Sequence, residues 1–254
     1  MRLSRFAAAC LAAAFAASAG AQDDAPDPPR IDPAALEAAR AMGERLRALD
    51  AFTIEATLST EEVLESGETL LHIERLTADI DPPGGLRMAL SSPGRERVFL
   101  YDGARAVLWG PITRYYTAVT FSGTLTALVQ ETARRYGYQV PLSDLFLWGT
   151  EAADLARGTQ AQYVGADDLG GRVCDHYAFR QEGVDWQLWI DTGGEGLPCA
   201  WRITDLSDPA RPSFAATLTI ETGAVFDDRR FTFAAPDDAV EIPFQAEARR
   251  ETEE

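Results

Sequence analysis

The chain has 254 residues, 46% of them hydrophobic, with 40 acidic against 23 basic residues and a formal net charge of −17. This length suffices for one sizeable all-β or α+β domain. The acidic balance argues against binding to nucleic acids or anionic membrane surfaces, because both require exposed basic side chains. The chain has no lysine, which excludes a Schiff-base lysine and a P-loop lysine.

The first 21 residues are typical of a secretory signal peptide. Arg2 and Arg5 form a basic start, residues 6–19 are apolar, and Ala-Gly-Ala at 19–21 offers a cleavage site near Ala21. The apolar run is shorter than the about 20 residues of a spanning helix. We therefore predict an exported product without a membrane span. Its charge, 21 basic minus 40 acidic residues, is −19.

The mature chain is predicted to form one domain over residues 32–245. Residues 22–31 are polar and proline-rich and read as a flexible leader, and the charged residues 246–254 read as a disordered tail. The domain begins with a helix, because Asp32 can cap it, Pro33 suits its first turn, and an apolar stripe follows at helical spacing.

Alternating apolar and polar residues predict about ten antiparallel strands. Asp102-Gly103 predicts a type I′ hairpin turn, which requires positive φ at both central residues. Trp186, Leu188 and Ile190 are expected to share one face of their strand. The predicted strands cover residues 52–58, 69–80, 86–90, 97–101, 104–109, 114–119, 160–164, 173–180, 184–191, 200–206 and 213–222, with a last short strand at 231–233.

Helical patterns interrupt the strands in mid-chain, at residues 124–136, 141–148 and 151–157. A sheet of about ten strands rarely stays flat and open. The predicted fold class is therefore α+β, mainly antiparallel β. We expect a curved sheet with the N-terminal helix and a mid-chain helical lid on its concave face.

Four stretches carry a likeness to a known family. They are VFLYDG at 98–103, YG at 136–137 with PLSDL at 141–145, CDHYAFR at 174–180, and VDWQLWI at 184–190. Together they resemble an uncharacterised family of predicted periplasmic proteins, a domain of unknown function within the lipoprotein-carrier (LolA/LolB-like) superfamily. The resemblance covers residues 32–244. It implies a periplasmic location and a half-open β-barrel with helices as a lid over an apolar cavity. The better-known relatives use this cavity to carry lipoprotein acyl chains.

A curved sheet under loosely packed helices offers a concave site of the kind that binds apolar ligands. Ordinary core packing is the competing interpretation for each of these side chains. The predicted cavity residues are Phe52, Ile54, Ile73, Phe99, Trp186, Leu188, Trp201 and Leu218 from the strands, with Leu125, Leu128, Leu145 and Phe146 from the lid.

Cys174 and Cys199 are a candidate disulfide, since an exported protein meets an oxidising compartment. Simple meander geometry opposes the bond. It places the two residues on either side of the middle strand, about 9.6 Å apart, whereas bonded Cα atoms lie within about 7 Å. Cys199 also stands where the family resemblance leads us to expect a basic residue.

The sequence offers no catalytic or metal constellation. Asp175 and His176 are neighbours on a strand and point to opposite faces, so they cannot form a dyad with each other, and a structural role for His176 is favoured. Doubled aspartates at 23, 167, 227 and 237 lack the calcium-loop pattern. We predict no cofactor, no metal and no enzymatic activity.

Two functions remain open. The favoured one is a carrier or chaperone that holds a lipid or the acyl chain of a lipoprotein in an apolar cavity. The alternative is an interaction or scaffold module with a filled core, whose partner is an unidentified periplasmic protein. A continuous cavity of a few hundred cubic ångströms would distinguish them.

Overall fold

The computed structural model describes residues 31–138, 140–143, 147 and 160–243. The predicted signal peptide, the leader up to residue 30 and the C-terminal tail lie outside these residues. So do residues 144–146 and 148 of the predicted helix at 141–148, and the whole of the predicted helix at 151–157.

The described chain forms two α-helices, twelve strands and one short 3-10 helix. The helices are α1 (Pro33–Arg47) and α2 (Leu125–Tyr136), and the 3-10 helix is Asp228–Arg230. The strands are β1 (Phe52–Val63), β2 (Thr69–Asp81), β3 (Gly85–Ser92), β4 (Arg95–Asp102), β5 (Arg105–Gly110), β6 (Tyr115–Thr120), β7 (Gln160–Asp168), β8 (Val173–Gln181), β9 (Val184–Asp191), β10 (Pro198–Asp205), β11 (Ser213–Thr222) and β12 (Val240–Glu241).

All twelve strands belong to one sheet in the order β12-β6-β5-β4-β3-β2-β1-β11-β10-β9-β8-β7. Ten neighbouring pairs are antiparallel, and only the short β12 runs parallel to its neighbour β6. The long-range step is the pairing of β1 with β11, which joins two consecutive meanders into one sheet. Its edge strands β7 and β12 stay apart, so the architecture is the predicted half-open barrel.

One face of the sheet, the inner face, carries the main core. The two-residue period places Ile54, Ala78 and Met88 opposite one another on β1, β2 and β3, and the same row continues to Phe99. All four side chains are at most 5% exposed. Both helices lie on this face and share one buried cluster with it, as the sequence predicts.

The helix boundaries follow from local chemistry. Asp32 caps α1 by accepting a hydrogen bond from Ala34 N at 2.9 Å, and Pro33 occupies the first turn. Thr124 caps α2 through Ala127 N, and α2 ends at Gly137, whose φ of +62° suits a left-handed C-cap.

The turn after β4 differs from the prediction. Gly103 has φ +88°, but the φ of Asp102 is not positive, so the turn is not type I′. Instead the Asp102 carboxylate accepts hydrogen bonds from the backbone N–H groups of Ala104 and Arg105, at 3.0 and 2.8 Å. This side-chain turn fixes the connection between β4 and β5.

The predicted strand at 231–233 is also wrong. Phe231 follows the 3-10 helix and is buried beside Gly85, while Phe233 packs on Trp109 and Tyr116 of the outer face, with ring centroids 5.6 and 5.0 Å away. The pair of phenylalanines anchors the C-terminal segment by its rings instead of by strand pairing. The segment then contributes β12 to the sheet edge.

Candidate ligand-binding site

The predicted cavity residues fall mostly into one place. The sheet brings together Phe52, Ile54, Phe99, Leu188, Trp201 and Leu218 on the inner face, and α2 adds Leu125 and Leu128. All eight are at most 5% exposed and belong to the same apolar cluster. These side chains thus form part of one continuous apolar core between the sheet and the helices.

Of the four remaining predicted residues, one lies on the inner face, one lies on the outer face, and two lie outside the described residues. Trp186 is half-buried on the inner face and stacks on Phe179, with ring centroids 3.8 Å apart. The predicted place of Ile73 in the cavity is wrong. Alternation along β2 puts Leu76, Ala78 and Ile80 inside, so Ile73 points to the outer face, where it is 58% exposed. Leu145 and Phe146 lie outside the described residues.

Both helices are tied to the sheet near their N-terminal ends. At the start of α1, Asp32 N donates to Ala161 O of β7 at 2.8 Å, and at the start of α2, Leu125 N donates to Pro83 O at 3.2 Å. Along the rest of each helix the buried side chains are apolar, except Thr132, which bonds within α2 to Leu128 O and Val129 O. Apolar contacts are non-directional, so they do not by themselves fix a helix in one position.

Tyr101 anchors the segment that leads into α2. Its fully buried hydroxyl donates to Gly123 O at 2.8 Å and accepts from Gly123 N at 3.0 Å. Burial raises the pKa of Tyr101, partly offset by the hydrogen bond to Gly123. The neutral phenol therefore holds the base of α2 to β4.

A disulfide joins Cys174 of β8 to Cys199 of β10, with the Cα atoms 6.7 Å apart. The geometric objection from the sequence is wrong because β10 is irregular: its register with β9 shifts between Pro198 and Ala200. Cys199 sits at this bulge, and Cys174 pairs with Asp191, the last residue of β9. The bond therefore passes around the end of the middle strand.

His176 has structural partners on the outer face, as predicted. Its ring stacks on Trp189 with centroids 4.1 Å apart, Nε2 lies 3.0 Å from Gln187 Oε1, and Nδ1 lies 3.3 Å from Asp167 Oδ2. Asp175 faces the other way and accepts a hydrogen bond from Tyr163 Oη at 3.0 Å. The two neighbours thus serve separate contacts.

Sequence reasoning missed a group of polar side chains at one end of the interior. Arg97 lies on the inner face, where its guanidinium pairs with Glu74 at 3.2 Å. Thr117, in β6, is 8% exposed. A signal was available, since Arg97 precedes Phe99 and Tyr101 at two-residue spacing and a charge at an inward position is unusual.

Two surface grooves of the described chain lie near the sheet. One, of about 530 Å³, lies on the outer face beside Glu55, Arg75 and the turn that contains Arg172. Arg172 donates there to Leu218 O. The other, of about 460 Å³, lies between the end of β4 and the turn from β5 to β6 and includes Arg97 and Thr117. The second groove is lined by the polar inner-face side chains Arg97 and Thr117.

In the described part of the chain, no three His, Cys, Asp or Glu side chains are grouped closely enough to hold a metal ion. None of its helices has the length and apolar character needed to cross a membrane.

The fold and the site define a half-open β-barrel whose apolar inner face lies under amphipathic helices. The chain belongs to the family described as predicted periplasmic protein (DUF2092), whose model matches residues 35–245. The predicted family of periplasmic proteins is thereby confirmed.

Solved structures with a similar chain path are distant in sequence. The Mycobacterium tuberculosis lipoprotein LppX aligns at 11% identity and TM-score 0.46, covering 74% of this chain and 94% of its own. LprF from Mycobacterium bovis aligns at 12% identity and TM-score 0.44, covering 83% and 99%. A LolA superfamily protein from Nitrosomonas europaea aligns at 11% identity and TM-score 0.39, covering 78% and 97%. Among curated proteins, none matches the chain.

Proposed function

We propose that the protein is a non-catalytic periplasmic carrier that holds an alkyl or acyl chain between the inner face of the sheet and its helices. The supporting observation is the apolar core itself, which extends in sheet order from β5 through β1 and β11 to β7 and is covered by α1 and α2 through apolar side chains. A lipid or an acylated protein is the ligand class that suits such a surface.

The attachment of the helices supports this proposal. Each helix is bonded to the sheet or its turns near the N-terminal end, and its other buried contacts are apolar. Moving such a helix outward exposes apolar surface, and a bound alkyl chain would cover that surface again. The ligand would therefore stabilise the open arrangement that admits it.

Tryptophan quenching by a brominated fatty acid tests the location of the chain. Trp201 is 1% exposed on the inner face, whereas Trp189 stacks on His176 of the outer face. Bromine quenches only by close approach. We expect Trp201→Phe to reduce the quenched fraction of the emission and the matched Trp189→Phe to increase it.

The filled-core module predicts a different result. Without space for a chain, the brominated fatty acid would leave the emission of both variants and of the wild type unchanged at saturating concentration. Equal quenching loss in the two variants would indicate surface adsorption instead of binding between sheet and helices.

A further inference from the structure

The sheet splits between β4 and β5 at one end of the barrel. These strands pair from Tyr101 with Ala106 as far as Val98 with Trp109. Beyond that point β4 continues to Arg95 along β3, while β5 turns into β6 with Gly110 opposite Tyr115. The groove of about 460 Å³ occupies this split, which we call the β4–β5 fork.

The fork is lined by residues of both faces of the sheet. Arg97, Leu108 and Thr117 belong to the inner face, whereas Trp109 and Tyr116 belong to the outer face. The fork is therefore a place where inner-face side chains at the end of the sheet adjoin a surface groove.

Polar atoms in the fork have unused bonding capacity. Arg97 Nε and Thr117 Oγ1 are buried and bond to no group in the part of the chain that the structure describes. Such atoms cost about 1–3 kcal/mol each when left unsatisfied, which makes them unusual in a folded protein. A guanidinium N–H donates only, and a hydroxyl can donate, so both suit an acceptor oxygen.

The same fork has an apolar rim. Ile112, Tyr115 and Ile242 line it and are 56%, 50% and 45% exposed. Tyr138, from the segment after α2, lies against Phe99 with ring centroids 6.1 Å apart. Burial raises the pKa of Tyr138, and the positive charge of Arg97 opposes this rise. Apolar side chains and the cationic Arg97 thus line the same groove.

We propose that the β4–β5 fork binds the anionic head group of a single-chain amphiphile whose alkyl chain lies in the interior. Arg97 donates to the carboxylate or phosphate oxygens of the head group, and Thr117 Oγ1 donates a second hydrogen bond. This inference rests on the proposed carrier function and names its ligand class.

Local charge balance sets the character of the site. Glu74 pairs with Arg97, and Glu96 lines the fork together with Arg95. Two carboxylates therefore balance two guanidinium groups, and selectivity comes from directed donors and not from a net positive field. Glu74 also competes with the ligand for Arg97.

The test measures binding of hexadecanoic acid, hexadecyl phosphate and hexadecanol by displacement of a fluorescent fatty acid. The wild type should prefer both anions to the alcohol by roughly tenfold or more, the range of a charge-assisted hydrogen bond. Arg97→Gln should remove this preference, because it should weaken the binding of both anions far more than that of hexadecanol. Arg75→Gln, a matched charge loss at the outer-face groove, should keep it.

A second variant guards against a folding defect in the first. Glu74→Gln frees the guanidinium of Arg97, so the affinity for hexadecanoic acid should rise severalfold, which a merely destabilised protein would not show. Acetate and inorganic phosphate at millimolar concentration should displace neither anion. Displacement by them would show a site for free anions and would overturn the amphiphile assignment.

The outcomes separate this inference from the carrier function. Equal binding of hexadecanol and hexadecanoic acid, or an anion preference that survives Arg97→Gln, overturns the head-group site while the carrier stands. Failure of all three amphiphiles to displace the probe, or failure of the probe to bind, overturns both.

Discussion

Removing the Cys174–Cys199 disulfide should cost a large part of the stability of this domain. The bond closes a loop of 25 residues that contains β9 and both of its turns. For a loop of about this length, the chain-entropy model gives about 3.5 kcal/mol at 25 °C. Both cysteines are fully buried, so the paired variant Cys174→Ala/Cys199→Ala avoids placing hydroxyl groups in the interior.

Urea unfolding followed by circular dichroism measures this loss. With a urea m value of about 2–3 kcal/mol/M for a domain of this size, the midpoint should fall by roughly 1–2 M. The m value should rise, because the unfolded chain without the cross-link exposes more surface. Reduced wild-type protein is the matched control and should resemble the double variant.

Two results would refute this reasoning. One is a midpoint that falls by less than about 0.3 M, which would mean that the cross-link constrains little in the unfolded chain. The other is the titration of two free thiols in denatured, unreduced protein from the periplasm.

Three further changes probe separate parts of the structure. Tyr101→Phe removes both hydrogen bonds to Gly123, so the free energy of unfolding in urea should fall by about 1–2 kcal/mol. A bound fluorescent fatty acid should also be released faster, and an unchanged release rate would contradict the anchoring of α2. A hydrogen bond from Arg180 lowers the pKa of Asp185, so Asp185→Asn should reduce the free energy of unfolding by less than about 1 kcal/mol at pH 7. This loss should vanish as the pH falls through the folded-state pKa. A loss that does not depend on pH would exclude the charge as its cause. A Cβ at Gly85 would lie 2.8 Å from the ring of Phe231, so Gly85→Ala should cost about 1–3 kcal/mol in the wild type and clearly less in a Phe231→Ala background; additive losses would place the strain elsewhere.

Most of the fold can be predicted from local patterns in the sequence. The apolar alternation of β1 and of β9 predicts strands whose inner residues are buried, and the Asp32 and Thr124 caps predict the starts of both helices. These features depend on neighbours within a few residues. They are therefore visible in a single sequence.

Features that depend on contacts between residues far apart in the chain could not be predicted from the sequence. The bulge that brings Cys199 to Cys174 arises from the register of β10 on β9, which no local residue specifies. The Phe231–Phe233 triplet looks like a strand, but Gly85 and Trp109 provide ring contacts from far along the chain. The inward side of β2, and so the place of Ile73, follows from its pairing with β1 and β3.

The candidate site divides in the same way. Its apolar residues follow from periodicity, because eight of the predicted positions meet on the inner face. The β4–β5 fork does not, because it arises where β4 extends beyond its pairing with β5. Only the tertiary arrangement places Arg97 and Thr117 in the same groove.

The most direct test of the carrier proposal is mass spectrometry of the protein purified from the periplasm without detergent, first under native conditions and then after organic extraction. The proposal predicts a bound mass that disappears on extraction and is recovered in the organic phase as a lipid or an acylated peptide. A native mass equal to that of the bare chain, together with no uptake of a fluorescent fatty acid, would contradict it and favour a filled-core interaction module.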